Sequence, residues 1–126
     1  MNTKFNTELI LFFFSLRNNL YLYHLTTYHY SRHVAVGTLI DSFDDLIDKF
    51  LETYFGKYGR PNTFTNSTLE LNKLSDADAY MELSSYIDFL NTRLPLLINN
   101  KDTDLLNIRD EMVGILNNTK YLFELK

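Results

Sequence analysis

The chain has no cysteine and no tryptophan, and only 4 glycines and 2 prolines among its 126 residues. Without cysteine there is no disulfide scaffold, no cysteine nucleophile and no thiolate zinc site. So little glycine and proline excludes collagen-like and linker-like composition and leaves long stretches free to be helical. Cations are the minority charge, 12 Lys+Arg against 16 Asp+Glu, with a net charge of −4 and no basic cluster. A nucleic-acid coat protein needs a basic footprint, so no nucleic-acid partner is expected. Long apolar runs are missing too: the most apolar stretch, residues 9–14, falls far short of the roughly 20 residues that span a bilayer. Glu8 precedes that stretch, Arg17 follows it, and no small-residue cleavage site comes next, which argues against a signal peptide. The expectation is a cytoplasmic protein with no membrane partner.

What remains is 45% hydrophobic and 22% charged, the balance of a single domain over residues 1–126 with one core. Apolar residues recur at helical spacing in four segments, and none alternates as a half-buried strand does. The first segment covers about 6–28, with Leu9, Phe12, Phe13, Leu16, Leu20, Tyr23 and Thr27 on one stripe and Arg17, Asn18 and Asn19 on the wetter side. In the second, Ser31 is the expected N-cap and Gly56 the expected C-terminal cap. Val36, Leu39, Ile40, Phe43, Leu46, Ile47, Phe50, Leu51 and Tyr54 form its apolar face. Periodicity fails over 57–74, where Gly59, Arg60, Pro61, Asn62 and Thr63 read as a turn into a connection that crosses the bundle or carries a short helix. A third helix is expected from Ser75 or Asp76 through Met81, Leu83, Tyr86, Ile87, Leu90 and Leu94, kinked or ended by Pro95. A fourth follows, capped by Asp102 or Thr103, with Leu105, Ile108, Met112, Ile115, Leu116 and Leu122 as its stripe. Together they predict an all-α four-helix bundle with a long crossover between helices 2 and 3.

All 3 histidines, His24, His29 and His33, fall at the junction of the first two helices, and Asp41, Asp44, Asp45, Asp48 and Glu52 follow on the second. Asp48 and Glu52, at i and i+4, project side by side. Imidazole nitrogen with paired carboxylate oxygen suits a ferrous, manganous or zinc ion. A row of acids on an amphipathic helix is equally a solvated face, and a histidine near a helix end equally a cap.

The arrangement resembles the Dps-type mini-ferritins of the ferritin-like superfamily: residues 20–24, Leu-Tyr-Leu-Tyr-His, then His33, then Asp48-Lys49-Phe50-Leu51-Glu52. The interval from His33 to Asp48 is 48 − 33 = 15 positions, as in that family. The last-helix residues from Asp102 to Phe123 look similar as well. The resemblance implies a ferritin-like fold and an iron site shared across a two-fold dimer interface. Two histidines of one subunit, His24 and His33, would meet Asp48 and Glu52 of the next, with His29 and Asp45 as secondary candidates. It further implies ferroxidase activity and an oligomeric shell of up to twelve chains that stores the oxidised iron, with manganese or zinc as alternative metals. The chain carries no Glu-x-x-His, the pair a site inside one bundle would use. It departs from the family in having Leu25 after the first histidine, a shorter interval between His24 and His33, and no lysine-rich tail. The alternative is a metal-free structural or interaction protein, such as a virion component or a binder of a host factor. A composition rich in Asn, Tyr, Phe and Ile points to an AT-rich genome, viral or of a low-GC bacterium, and a viral protein would act in the host cytoplasm or the virion. No Gly-x-Ser-x-Gly elbow or phosphate-cradling glycine loop is present.

Overall fold

The computed structural model describes residues 3–125 apart from 62 and 65, with side chains described from Thr7 onward. Among the described residues five α-helical segments follow one another: α1 (Thr3–Thr26), α2 (Tyr30–Tyr58), α3 (Asp76–Asp88), α4 (Leu94–Leu97) and α5 (Thr103–Phe123). A π-helical turn, Phe89–Arg93, joins α3 to α4 without leaving helical dihedrals, so the segments pack as four rods. Among the described residues no helix is long and apolar enough to cross a membrane.

Neighbouring side chains fix the topology. Phe13 meets Phe50 and His24 meets His33, so α1 and α2 run antiparallel. Lys57 reaches Asp104 at one end while Arg32 lies over Phe123 at the other, so α5 runs antiparallel to α2. Tyr23 reaches Asp76 and Arg93 reaches Glu8, so α3 is antiparallel to α1. It follows that α2 and α3 point the same way and that the 17 residues from 59 to 75 must return along the whole bundle. A 29-residue α2 is about 43 Å long, whereas 17 residues reach at most about 56 Å fully extended and only about 25 Å as a helix. Residues 66–75 are accordingly without helix, and this segment lies along α1, where the Asn72 amide donates to Oδ1 of the buried Asn19 at 2.9 Å.

The core takes one stripe from each rod. Leu9, Phe13, Leu16, Leu20 and Tyr23 of α1 and Val36, Leu39, Phe43, Ile47, Phe50 and Tyr54 of α2 are buried, as their spacing predicts. From the later rods come Leu83, Leu90, Leu94, Leu105, Met112 and Leu116. Met81, expected on the third stripe, is 68% exposed, because Ala79 and Leu83 define the buried direction there. In α5, Ile115 and Leu122 only border the core, which closes on Phe123 instead.

Three boundaries differ from the sequence reading. His29, not Ser31, is the N-cap of α2: the Thr27 hydroxyl accepts from the His29 amide at 3.2 Å and turns the chain two residues early. Gly56 remains helical because Phe55 and Tyr58 still pack on the core. Gly59, with φ of 85°, ends the helix and donates its amide to the Phe55 carbonyl. Asn62, read as part of that turn, lies outside the described residues. Pro95 neither ends nor sharply breaks the third rod. Its missing N–H is absorbed by the π turn just before it, in which the Leu94 amide reaches back to the Phe89 carbonyl. Arg109 of α5 donates to the Leu90 carbonyl at 3.1 Å within that turn.

The Tyr54 hydroxyl is buried with no hydrogen-bond partner among the described residues. Burial first, then the charge of nearby Tyr58 and Asp102, pushes its pKa up to about 12. Tyr54→Phe removes a desolvated hydroxyl that makes no bond, so it should raise stability by about 1 kcal/mol in urea unfolding. A loss of that size would mean that the hydroxyl has a partner.

Candidate functional site

The junction of α1 and α2 gathers the histidines, and its geometry is reciprocal. His24, in the last turn of α1, has its Nδ1 2.7 Å from the His33 carbonyl oxygen, and His33 Nδ1 lies 2.7 Å from the His24 carbonyl oxygen. A carbonyl only accepts, so each Nδ1 carries the proton and donates. The rings stack at a centroid distance of 4.0 Å and an interplanar angle of 11°. The His33 ring thereby satisfies a carbonyl at the end of α1 that lacks a full set of helical partners. Gly37 makes room for the pair: a Cβ there would stand 2.9 Å from His24 Cε1. Tyr21 and Tyr30, each three positions before one of the histidines, lie tilted beside the stacked pair at centroid distances of 6.0 and 6.2 Å.

His29 takes no part in this stack. Its Nε2 lies 3.0 Å from Asp76 Oδ2, within a second cluster on the same end of the bundle. Tyr23 and Thr27 hydroxyls donate to Asp76 Oδ1 at 2.6 and 3.0 Å, and Arg32 donates to the Tyr23 oxygen at 3.1 Å and to the Asp76 carbonyl at 2.6 Å. The bond from Tyr23 is the main reason the Asp76 carboxyl titrates below its usual range, reinforced by Thr27, His29 and Arg32 against a smaller cost of burial. Burial, together with that same bond, raises the Tyr23 pKa. The cluster joins α1, α2 and the start of α3, where Ser75 caps the helix by accepting from the Asp78 amide. Sequence reasoning put the start of this helix at Ser75 or Asp76 but missed the pairing of Asp76 with Arg32, because a single acid and a single arginine 44 positions apart carry no local pattern.

Asp45, Asp48 and Glu52 are exposed on α2. The 15 positions between His33 and Asp48 correspond to about 22 Å of helix, so one chain does not bring the carboxylates to the histidines. Among the described residues no three His, Asp or Glu side chains converge as a metal site would need.

The structure also uncovers large apolar side chains on this side of the molecule. Tyr28 is 99% exposed, Tyr30 80%, Leu25 59%, and Phe14, Tyr21 and Val34 about half. Arg17, Asn18, Tyr21, Leu22 and Leu25 of α1, with Leu69, Glu70 and Leu71 of the returning segment, line a hollow of about 380 Å³. Arg17 there is neutralised by Asp44 at 3.3 Å and lies over the Tyr21 ring.

A family described as a family of unknown function, DUF5856, matches residues 24–123. The chain is also similar to an "uncharacterized 14.6 kDa protein in mobD-ri intergenic region" of Enterobacteria phage T4, at 29% identity over 103 residues, 82% of this chain and 75% of the phage protein. No solved structure matches it significantly. The family match runs from the histidine in the last turn of α1 to the last core residue of α5, and with most of the chain inside it the protein belongs to the DUF5856 family.

Proposed function

We propose that the protein is an assembly protein that works through its surface, binding other protein chains, a second copy of itself first, along the outer side of α1. The observation that carries this is the run of exposed apolar side chains Phe14, Tyr21 and Leu25 along α1 with Tyr28 just beyond its end, of which Tyr21 and Leu25 share a hollow with the exposed Leu71. Monomeric proteins rarely leave such an area open, and aromatic anchors supply much of the energy of protein interfaces. Only Arg17 brings a charge to that stretch of α1, and Asp44 already neutralises it. Sedimentation of the purified chain over a wide concentration range tests the reading. Reversible self-association that Leu25→Glu weakens at least tenfold is the expected result, and a chain that stays monomeric throughout overturns it.

The metal-storage reading differs in needing a neighbour's carboxylates, since the donor set of one chain does not fit a metal. One observation favours it. Both His24 and His33 donate Nδ1–H to a carbonyl, the outer arrangement that metal-bound histidines commonly keep, with Nε2 as the ligating atom. The crossover topology, with α2 and α3 parallel, is also that of ferritin-like bundles. Iron would be cargo bound between chains by His24, His33, Asp48 and Glu52. Ferrous loading of the oligomer, followed by elemental analysis, tests it: uptake lost in the double variant Asp48→Asn, Glu52→Gln supports it, and no uptake refutes it.

A further inference from the structure

The exposed residues of α1 follow a heptad rule. Leu11, Phe14, Asn18, Tyr21 and Leu25 lie at steps of three, four, three and four. This is the a/d spacing of a helix seam that packs against another helix. It is distinct from the buried stripe Leu9, Phe13, Leu16, Leu20 and Tyr23, so α1 carries two apolar faces. The inner face is used by α2 and α3. On the outer face Phe14, Tyr21 and Leu25 are 46%, 42% and 59% exposed, and Leu11 is half-buried.

The seam is nearly symmetric about its middle residue, Asn18: Leu11 lies seven positions before and Leu25 seven after, Phe14 four before and Tyr21 three after. Across a two-fold axis residue i meets j and j meets i, and such a seam brings like-sized apolar residues opposite one another. We propose that two copies of the chain pack α1 against α1 antiparallel, with Asn18 at the two-fold axis. This rests on the reading of the protein as an assembly protein and specifies its interface. At the axis each Asn18 amide donates to the other's oxygen, Phe14 of one copy packs on Tyr21 of the other, and Leu11 on Leu25. A single polar residue at an a position in an apolar seam fixes register, since any slip buries it without a partner.

The area is sufficient. Taking about 200 Å² for a whole aromatic side chain, Phe14, Tyr21 and Leu25 of the seam expose roughly 300 Å² of mostly apolar surface, and Tyr28 beyond the end of α1 with Leu71 of the returning segment bring this to roughly 600 Å², against about 800 Å² per partner in a standard interface of which some two-thirds is apolar. Charges flank the seam without forming part of it: Arg17 is paired with Asp44, Asp48 shares a hollow with Phe14 on one side, and Glu70 lines the hollow beside Tyr21 and Leu25 on the other.

The absence of cysteine makes the test clean. Asn18→Cys should form a disulfide-linked dimer under mild oxidation, and an equal mixture of Phe14→Cys and Tyr21→Cys chains should give mixed dimers well in excess of either homodimer. Glu111→Cys, on α5 away from α1, should stay unlinked. Each variant is first checked to melt like the unmodified chain. Self-association in sedimentation without the Asn18 link, or with Phe14 and Tyr21 linking only to themselves, overturns this interface while the assembly reading stands. A chain that never associates overturns both.

Discussion

Replacing Asp102 by alanine is expected to cost about 3 kcal/mol and to lower the melting temperature by roughly 10–15 °C. This carboxylate is buried at the end of the bundle opposite the histidines, at the N-cap of α5. It accepts from the Tyr58 hydroxyl, from Lys57 at 3.0 Å and from the Asn99 amide at 2.9 Å. These contacts tie the end of α2 to the turn before α5. Alanine leaves all three donors without it, although Lys57 keeps Asp104 at 2.6 Å, so the loss falls short of three separate charged hydrogen bonds. Asp102→Asn, which can still accept from one donor at each oxygen lone pair but carries no charge, should cost roughly half as much.

The same residue sets a pH dependence. Burial works to raise the Asp102 pKa, and the bonds from Tyr58, Asn99 and Lys57 together outweigh it, so the group titrates below the usual carboxylate range. A lowered folded-state pKa means stability that is fully present above the unfolded value, near pH 4, and lost as the pH falls through the folded one. Asp76 and Asp104 are lowered too, each chiefly by one hydrogen bond, from Tyr23 and Lys57 respectively. The unmodified chain should therefore lose stability steeply below about pH 4, and the Asp102→Ala chain less steeply because one of three such groups is gone. Urea midpoints between pH 2 and 6 measure this; parallel acid limbs for the two proteins would show that Asp102 is not held charged by the fold.

Most of the fold was legible because helix burial repeats locally. The stripes through Leu9, Phe13 and Leu20, and through Val36, Phe43 and Phe50, can be counted along the chain, and the core agrees with them. The start of α3 could be narrowed to Ser75 or Asp76 because capping is local, the Ser75 hydroxyl accepting from the Asp78 amide three residues on. What escaped depended on distant partners. Gly56 looks like a helix end until Phe55 and Tyr58 are seen to have core to pack on, and Pro95 looks like a break until the π turn takes up its missing donor. The histidine cluster was visible, but its reciprocal bonding was not, since that depends on a turn of three residues bringing two helix ends together. Asn18 was assigned to the wet side for its polarity, while the heptad through its neighbours was already in the sequence. Only the exposure of Phe14, Tyr21 and Leu25 distinguishes that outer seam from the core stripe beside it.

Gly37 and His24 should show a reversal of sign in a double-mutant cycle. In an isolated helix interior, glycine to alanine gains about 0.5–1 kcal/mol, because glycine loses more backbone entropy on folding. In this protein an alanine Cβ would stand 2.9 Å from His24 Cε1 and 3.3 Å from its Nδ1. The ring cannot swing aside freely: its Nδ1–H is bound to the His33 carbonyl and its face is stacked on the His33 ring. Gly37→Ala in the unmodified chain must therefore push His24 out of its bond and its stack, and a net destabilisation of about 1–2 kcal/mol is expected. His24→Ala alone should cost about 2 kcal/mol, since it removes the ring while leaving His33 still able to donate to the residue 24 carbonyl. With the ring gone, the three atoms nearest that Cβ are removed, and Gly37→Ala should stabilise by about 0.5–1 kcal/mol, a coupling of roughly 2 kcal/mol between the two sites. Urea unfolding of the four proteins gives each corner of the cycle, with unchanged m-values confirming that stability alone has moved. Additive effects would mean that the ring yields at little cost, and that the histidine pair does not hold the two helices in register.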